Sequence, residues 1–169
     1  MILAVETRID LARPASEVFA FVAIGWFNNG ALWRPELVEV TPLDGAAIQV
    51  GARGVELRRV RRGKRRNAPE GRTFEVTELL SPGTAALSAK QGPGIFALSG
   101  LEDRPGAELY TSRFLFEPIG GARCRLRWRC TREYQNPLFL LPSPLIKFRL
   151  RREMNRSLKL LKVRVESAG

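Results

Sequence analysis

From Ile146 onward the apolar residues change period. Ile146, Leu150, Met154, Leu158, Leu161 and Val165 follow one another at steps of four, four, four, three and four, which is one face of a long helix. Arg151, Arg152, Arg156, Lys159 and Lys162 fall on its other faces. A helix of this kind must bury its stripe, and nearly everything before it reads as strand and turn. The arrangement that satisfies both is α+β: a meander of antiparallel strands covered by one long C-terminal helix.

The stretch CRLRWRC, Cys124 to Cys130, shows the strand pattern most clearly. Cys124, Leu126, Trp128 and Cys130 take alternate positions and Arg125, Arg127 and Arg129 the others. Period two gives a strand with one buried face. At about 3.3 Å per residue the two cysteines stand roughly 20 Å apart, beyond the reach of a disulfide or a shared zinc ion. They read as core thiols. The first strand, Leu3 to Leu11, alternates in the same way, and if it lies beside Arg123 to Arg132 its Glu6 and Asp10 face arginines as cross-strand pairs.

Between these strands, Pro14 opens a short helix with Val18, Phe19 and Val22 on its apolar face, Asn28-Asn-Gly30 stops it, and a second short helical piece reaches Trp33-Arg-Pro35. Further strands follow at Leu37 to Thr41, Gly51 to Val60, Arg72 to Leu80, Thr84 to Lys90, Ile95 to Leu98 and Leu109 to Glu117, separated by turns such as Ser81-Pro-Gly83. No repeat or linker divides the chain, so residues 1–169 read as a single domain.

Composition excludes several chemistries. The sequence has no histidine and only two cysteines, which removes Ser/His and Cys/His nucleophilic centres, histidine metal sites and a disulfide framework. No metal or cofactor is expected. Leu138 to Leu150 is apolar but broken by Pro142, Pro144 and Lys147, too short to span a bilayer. Met1 to Val5 lacks the basic n-region of a secretory signal, so the expectation is a cytoplasmic protein. The formal charge of +11 is compatible with nucleic acid, anionic lipid or an acidic protein as partner. The basic run Arg58 to Arg66 has no interleaved aromatic residue on which bases would stack, so nucleic acid is not an expected partner and most of the arginines read as a solvated face.

The order of these pieces resembles the START-like, or SRPBCC, superfamily, in particular its bacterial polyketide cyclase/dehydrase and lipid transport branch. The resemblance covers nearly the whole chain and is carried by IDLARPASEVFAFV, ALWRPELVEV, VGARG, TFEVTELLSPG, FLFEPIGGARCRL and RSLKLLKVRVE. It implies a helix-grip fold, in which a curved antiparallel sheet of about seven strands wraps around the C-terminal helix, with two short helices after the first strand. It also implies a cavity between sheet and helix for a lipid, polyketide, quinone or aromatic compound. The chain departs from the family pattern in its basic loop, Arg61 to Gly71, and in an extension from Ile95 to Gly106.

Such a cavity is expected to find space beside the small residues Ala85, Ala86, Ser88 and Ala89. Its candidate walls are Trp33, Phe74, Phe114, Phe116, Trp128, Leu150, Met154 and Leu158, with Tyr110 and Ser112 on one strand face to orient a ligand. Leu109 and Leu115 compete with them for the buried side. At about 0.8 kcal/mol per methylene, a ten-carbon ligand has roughly 8 kcal/mol to offer before ordering costs. Lys147 is placed either to meet a ligand's carboxylate or phenolate at the mouth or, as lysines commonly do, to snorkel past the rim. Binding or carriage of an apolar small molecule is the leading expectation. A cyclase or dehydratase is the alternative, drawing on Tyr110, Lys147, Glu56 or Glu78 for proton transfer. A ligand-delivery module touching an anionic membrane through Leu138 to Leu141 and the neighbouring basic residues is a third. Nothing in the sequence sets the oligomeric state.

Overall fold

The computed structural model describes residues 2–45, 47–59, 69–83, 92–101, 109–120, 122–133 and 143–167. Strand β1 (Ile2–Leu11) leads through Pro14 into helix α1 (Ala15–Phe19), a π-helical turn (Ala20–Ile24) and helix α2 (Trp26–Trp33). Six strands follow: β2 (Leu37–Pro42), β3 (Arg53–Arg58), β4 (Glu70–Leu80), β5 (Gly94–Gly100), β6 (Leu109–Pro118) and β7 (Cys124–Glu133). Helix α3 (Ser143–Ser167) closes the chain. The expected strand at Thr84 to Lys90, with its small residues, lies outside the described residues, as do most of the basic loop and the segment Leu138 to Leu141.

All seven strands form one antiparallel sheet in the order β1-β7-β6-β5-β4-β3-β2. Extra residues interrupt the register between Leu37 and Glu39 in β2 and between Val76 and Glu78 in β4. A bulge of this kind bends its strand and raises the local twist, which suits a sheet that must curve around a helix. The result is the helix-grip arrangement that the resemblance implied.

The stripe on α3 is buried as its spacing requires: Leu150, Met154, Leu158, Leu161 and Val165 face the interior, and Ile146 packs at its edge. Each fully buried side chain of this class contributes about 1.5–3 kcal/mol relative to an exposed one. Polar contacts fix the helix along β1. Thr7 Oγ1 donates to Asn155 Oδ1, the amide of Ala12 donates to Glu166 Oε1 at 2.8 Å, and Lys162 Nζ donates to the carbonyl of Asp10 at 2.8 Å.

On the opposite face of the sheet the arginines meet carboxylates. Asp10 stands opposite Arg125 in the β1–β7 register and accepts from both Nε and Nη2, at 2.8 and 3.1 Å. Arg113 grips Glu78 in the same two-pronged way, and Arg127 turns to Glu117 at 3.5 Å. These pairs are half exposed and account for much of the basic face as ordinary surface pairing. Cys124 and Cys130 are both free and buried, and burial, helped by the nearby charges of Glu117 and Asp10, pushes the Cys124 thiol up to about 12. It is an inert core residue.

Candidate functional site

Four strand ends and one helix meet at a cavity of about 510 Å³. The last residues of β3 bring Arg58, with Arg59 just beyond it, and the first residues of β4 bring Glu70 and Arg72. Tyr110 and Ser112 come from the start of β6, and Trp128, Cys130 and Arg132 from the end of β7. The turn after α2 supplies Arg34, Pro35 and Glu36, and the N-terminal half of α3 supplies Arg149, Leu150, Glu153, Met154 and Arg156. Strand parity explains the grouping. Tyr110, Ser112, Phe114 and Phe116 alternate on the inner face of β6, while Leu115 lies half-buried on the other.

One wall of the cavity is a buried network around Glu56, whose side chain is fully enclosed. Tyr110 Oη donates to Glu56 Oε2 at 3.2 Å, Arg58 donates to the same oxygen from Nε and Nη2 at 3.1 and 2.8 Å, and Arg34 Nη1 donates to Oε1 at 3.5 Å. Arg34, only 4% exposed, also donates from Nε to Glu36 Oε1 at 2.6 Å, and its guanidinium lies over the rings of Trp26 and Trp128, 5.6 and 5.0 Å from their centroids. Burial is the largest influence on Glu36 and opposes its charge, but Arg34, a backbone hydrogen bond and Arg58 together outweigh it and hold that carboxyl below its usual range. Burial likewise opposes the charge on Arg58, and Glu56, Tyr110 and Glu36 together more than compensate, so its pKa rises.

Tyr110 behaves differently. Burial, reinforced by Glu56, pushes its phenol well above the ordinary tyrosine value. It is therefore a hydrogen-bond donor at neutral pH and not a base. Its ring also lies across Gly100, the neighbouring residue on β5: a Cβ there would stand 2.5 and 2.6 Å from two ring carbons. Gly100→Ala is therefore expected to displace Tyr110 from Glu56 and to lower stability by about 1–3 kcal/mol. Urea denaturation measures the loss, and a drop accompanied by full retention of the Tyr110–Glu56 bond in a crystal structure would refute the stated cause.

The residues expected from the sequence divide into two groups. Tyr110, Ser112, Trp128, Leu150 and Met154 line the cavity. Trp33, Phe74, Phe114, Phe116 and Leu158 do not; they are wholly buried in packed core. Trp33 meets Trp26, Phe114 and Trp128 edge-on, Phe116 meets Phe19 of α1 with centroids 5.2 Å apart, and Phe74 meets Phe27 of α2 at 6.2 Å. Helices α1 and α2 fill the half of the sheet face that these aromatics occupy, and the cavity lies toward the other end. Lys147 is exposed and outside the cavity lining, because the first turn of α3, with Leu145 and Phe148 68% and 65% exposed, extends beyond the part of the helix that covers the core. Glu78, the other carboxylate considered for proton transfer, is a surface partner of Arg113. Glu56 is the only one of the four acid–base candidates that is a buried carboxylate at the cavity wall.

Sequence reading missed the arginine character of the site. Arg34, Arg58, Arg59, Arg72, Arg132, Arg149 and Arg156 all reach the cavity lining. Arg34 had one available signal, its position directly after the core residue Trp33, and Arg132 another, since it shares strand parity with Trp128 and Cys130.

Residues 3–166 match the family model described as polyketide cyclase / dehydrase and lipid transport. The sequence has no match among curated proteins. Solved structures resemble it over almost the whole chain. The Zhui aromatase/cyclase from Streptomyces sp. R1128 is 15% identical with a TM-score of 0.69, over 98% of this chain and 94% of that one. A START superfamily protein from Mycobacterium smegmatis is 14% identical with a TM-score of 0.66, over 98% and 99%. A point mutant of norcoclaurine synthase from Thalictrum flavum is 11% identical with a TM-score of 0.66, over 100% and 98%. At these identities the likeness is one of fold.

Proposed function

We propose that this chain, which belongs to the polyketide cyclase / dehydrase and lipid transport family, binds and carries a small molecule with an apolar or aromatic body in the cavity between its sheet and α3. The observation that carries the proposal is the cavity itself. Its volume of about 510 Å³ falls within the range of sites that enclose small organic ligands, and Trp128, Tyr110, Leu150 and Met154, themselves nearly buried, supply the apolar part of a lining that is otherwise largely charged. A lipid chain, a polyketide, a quinone or a fused aromatic fits that description. Native mass spectrometry of freshly purified protein, followed by solvent extraction, tests it. A discrete added mass that extracts as one of these classes is the expected result. A bare chain that gains no mass with any lipid, quinone or aromatic probe would overturn the reading.

Catalysis of the cyclase or dehydratase type is the second reading, and one observation favours it: the enclosed carboxylate of Glu56 stands directly behind Tyr110 in the cavity wall. Under this reading Glu56 exchanges the proton and the protonated phenol of Tyr110 orients the substrate. Turnover of a poly-β-ketone thioester by the native protein, lost in Glu56→Gln, would move the protein from carrier to enzyme. Turnover undiminished by that change would exclude Glu56 from the chemistry.

A transient contact with anionic membrane belongs to the same proposal. Leu145 and Phe148 are exposed beside Lys147, Arg151 and Arg152 at the start of α3, an apolar and basic mixture suited to an interface. No described helix is long and apolar enough to cross a membrane. Cosedimentation with vesicles rich in phosphatidylserine, absent with phosphatidylcholine alone, is expected; equal and negligible binding to both would end the idea.

A further inference from the structure

Seven arginines and three glutamates line the cavity. Even with the enclosed Glu56 added to the acidic side, the named charges around the cavity sum to a net excess of three positive. The pairs are unevenly placed. Arg34 and Arg58 are held by Glu36 and Glu56 in the wall, and Arg149 by Glu153 on α3. Arg59 and Arg156, by contrast, are exposed at the rim, and among the described residues neither side chain has a hydrogen bond or ion pair. They belong to different elements, the end of β3 and the middle of α3. An apolar ligand without charge gains nothing from this composition, whereas a guanidinium fork matches a carboxylate or phosphate oxygen pair.

We propose that the ligand of this cavity is an anion: an apolar or aromatic body that enters between Trp128 and Met154 and an oxyanion head, carboxylate or phosphate, held at the rim by Arg59 and Arg156. The inference rests on the binding function proposed above and adds the ligand's charge and the residues that read it. Arg72 and Arg132 contribute positive potential from the strand ends, and Glu70, the first residue of β4, adds a negative charge to the same lining. Charge at a partly open rim also speeds the encounter with an anionic ligand, an effect that salt weakens.

Two fluorescent probes with the same anilinonaphthalene body isolate the charge: 1-anilinonaphthalene-8-sulfonate, an anion, and N-phenyl-1-naphthylamine, which is neutral. The anion is expected to bind about tenfold more tightly or better. Arg59→Gln combined with Arg156→Gln is expected to remove that advantage and leave the neutral probe's affinity unchanged. A second pair, Lys159→Gln with Arg164→Gln, removes the same charge from exposed positions of α3 outside the cavity lining and is expected to leave both probes unaffected. Equal affinities of the two probes in the native protein, or equal losses in the two double variants, would overturn the proposal while leaving ligand binding intact. Failure of both probes to bind would remove the binding function and this inference with it. Should the Arg59/Arg156 variant not fold, the native protein decides alone: raising sodium chloride must weaken the sulfonate and spare the neutral amine. Displacement of the bound sulfonate by decanoate and by decyl phosphate, with decanol as reference, then distinguishes a free carboxylic acid from a phosphate head group. Displacement by decanol as effective as by either acid would count against the proposal.

Discussion

Glu56→Ala is expected to destabilise the fold by about 3–5 kcal/mol. The carboxylate accepts hydrogen bonds from Arg34, Arg58 and Tyr110, and none of its side chain reaches solvent. Removing it leaves Arg34 enclosed by Trp26 and Trp128 with Glu36 as its remaining carboxylate partner, and leaves the phenol of Tyr110 facing the space where its acceptor stood. The cost is that of a buried charge stripped of compensation, not the intrinsic worth of the ion pair. Arg58 is better placed to recover, because it already lies on the cavity lining and can turn toward water there. Glu56→Gln keeps the size and an acceptor oxygen and is expected to lose less than the alanine variant. Urea denaturation of the three proteins measures the order, and a loss below about 1 kcal/mol for the alanine variant would show that the network is not a structural element.

Phe114→Ala is expected to cost a similar amount, about 3–5 kcal/mol, by a different route. Phe114 is the centre of the aromatic cluster: it stacks on Phe96 and Trp128 with centroids 5.9 and 5.3 Å away, and meets Trp26 and Trp33 at 6.2 and 6.0 Å. Deleting the ring opens a void between β5, β6, β7 and α2 that these packed elements cannot close together, so both transfer energy and cavity cost apply. Trp128 loses its stacking partner on the side away from the ligand cavity, so probe affinity should fall along with stability. Thermal and urea unfolding with a probe titration on the same sample check both. A variant within 1 kcal/mol of native stability would mean that the cluster is loosely packed.

The strand parity of CRLRWRC, the four-residue steps of α3 and the proline-led start of α1 were all readable because each is a local period with one buried face. The site was only half readable for the same reason. Parity placed Trp128 in the interior but left Tyr110 and Ser112 competing with Leu109 and Leu115, a choice that the fold settles in favour of Tyr110 and Ser112; nor does parity say whether an inward residue meets another side chain or empty space. Phe114, Phe116 and Phe74 point inward as expected and are covered by α1 and α2, a consequence of how those short helices seat on the sheet. That seating depends on tertiary contacts such as Phe19 with Phe116 and Phe27 with Phe74. Lys147 sat at a helical angle shared with Met154, but angle does not reveal where along its length a helix leaves the core. The arginines were visible as charge and invisible as a site, since residues 34, 58, 132 and 156 converge only when four strand ends and a helix are brought together.

The most direct test of a ligand cavity at this place is a titration of N-phenyl-1-naphthylamine into the native protein and into Ser112→Phe. Ser112 is enclosed on the cavity floor, and a phenyl ring there occupies the space assigned to the ligand body. Saturable one-to-one binding to the native protein, weakened about tenfold or more in a Ser112→Phe protein that still unfolds cooperatively, is the expected result. Equal binding to both, or none to either, would contradict a ligand cavity beside Ser112.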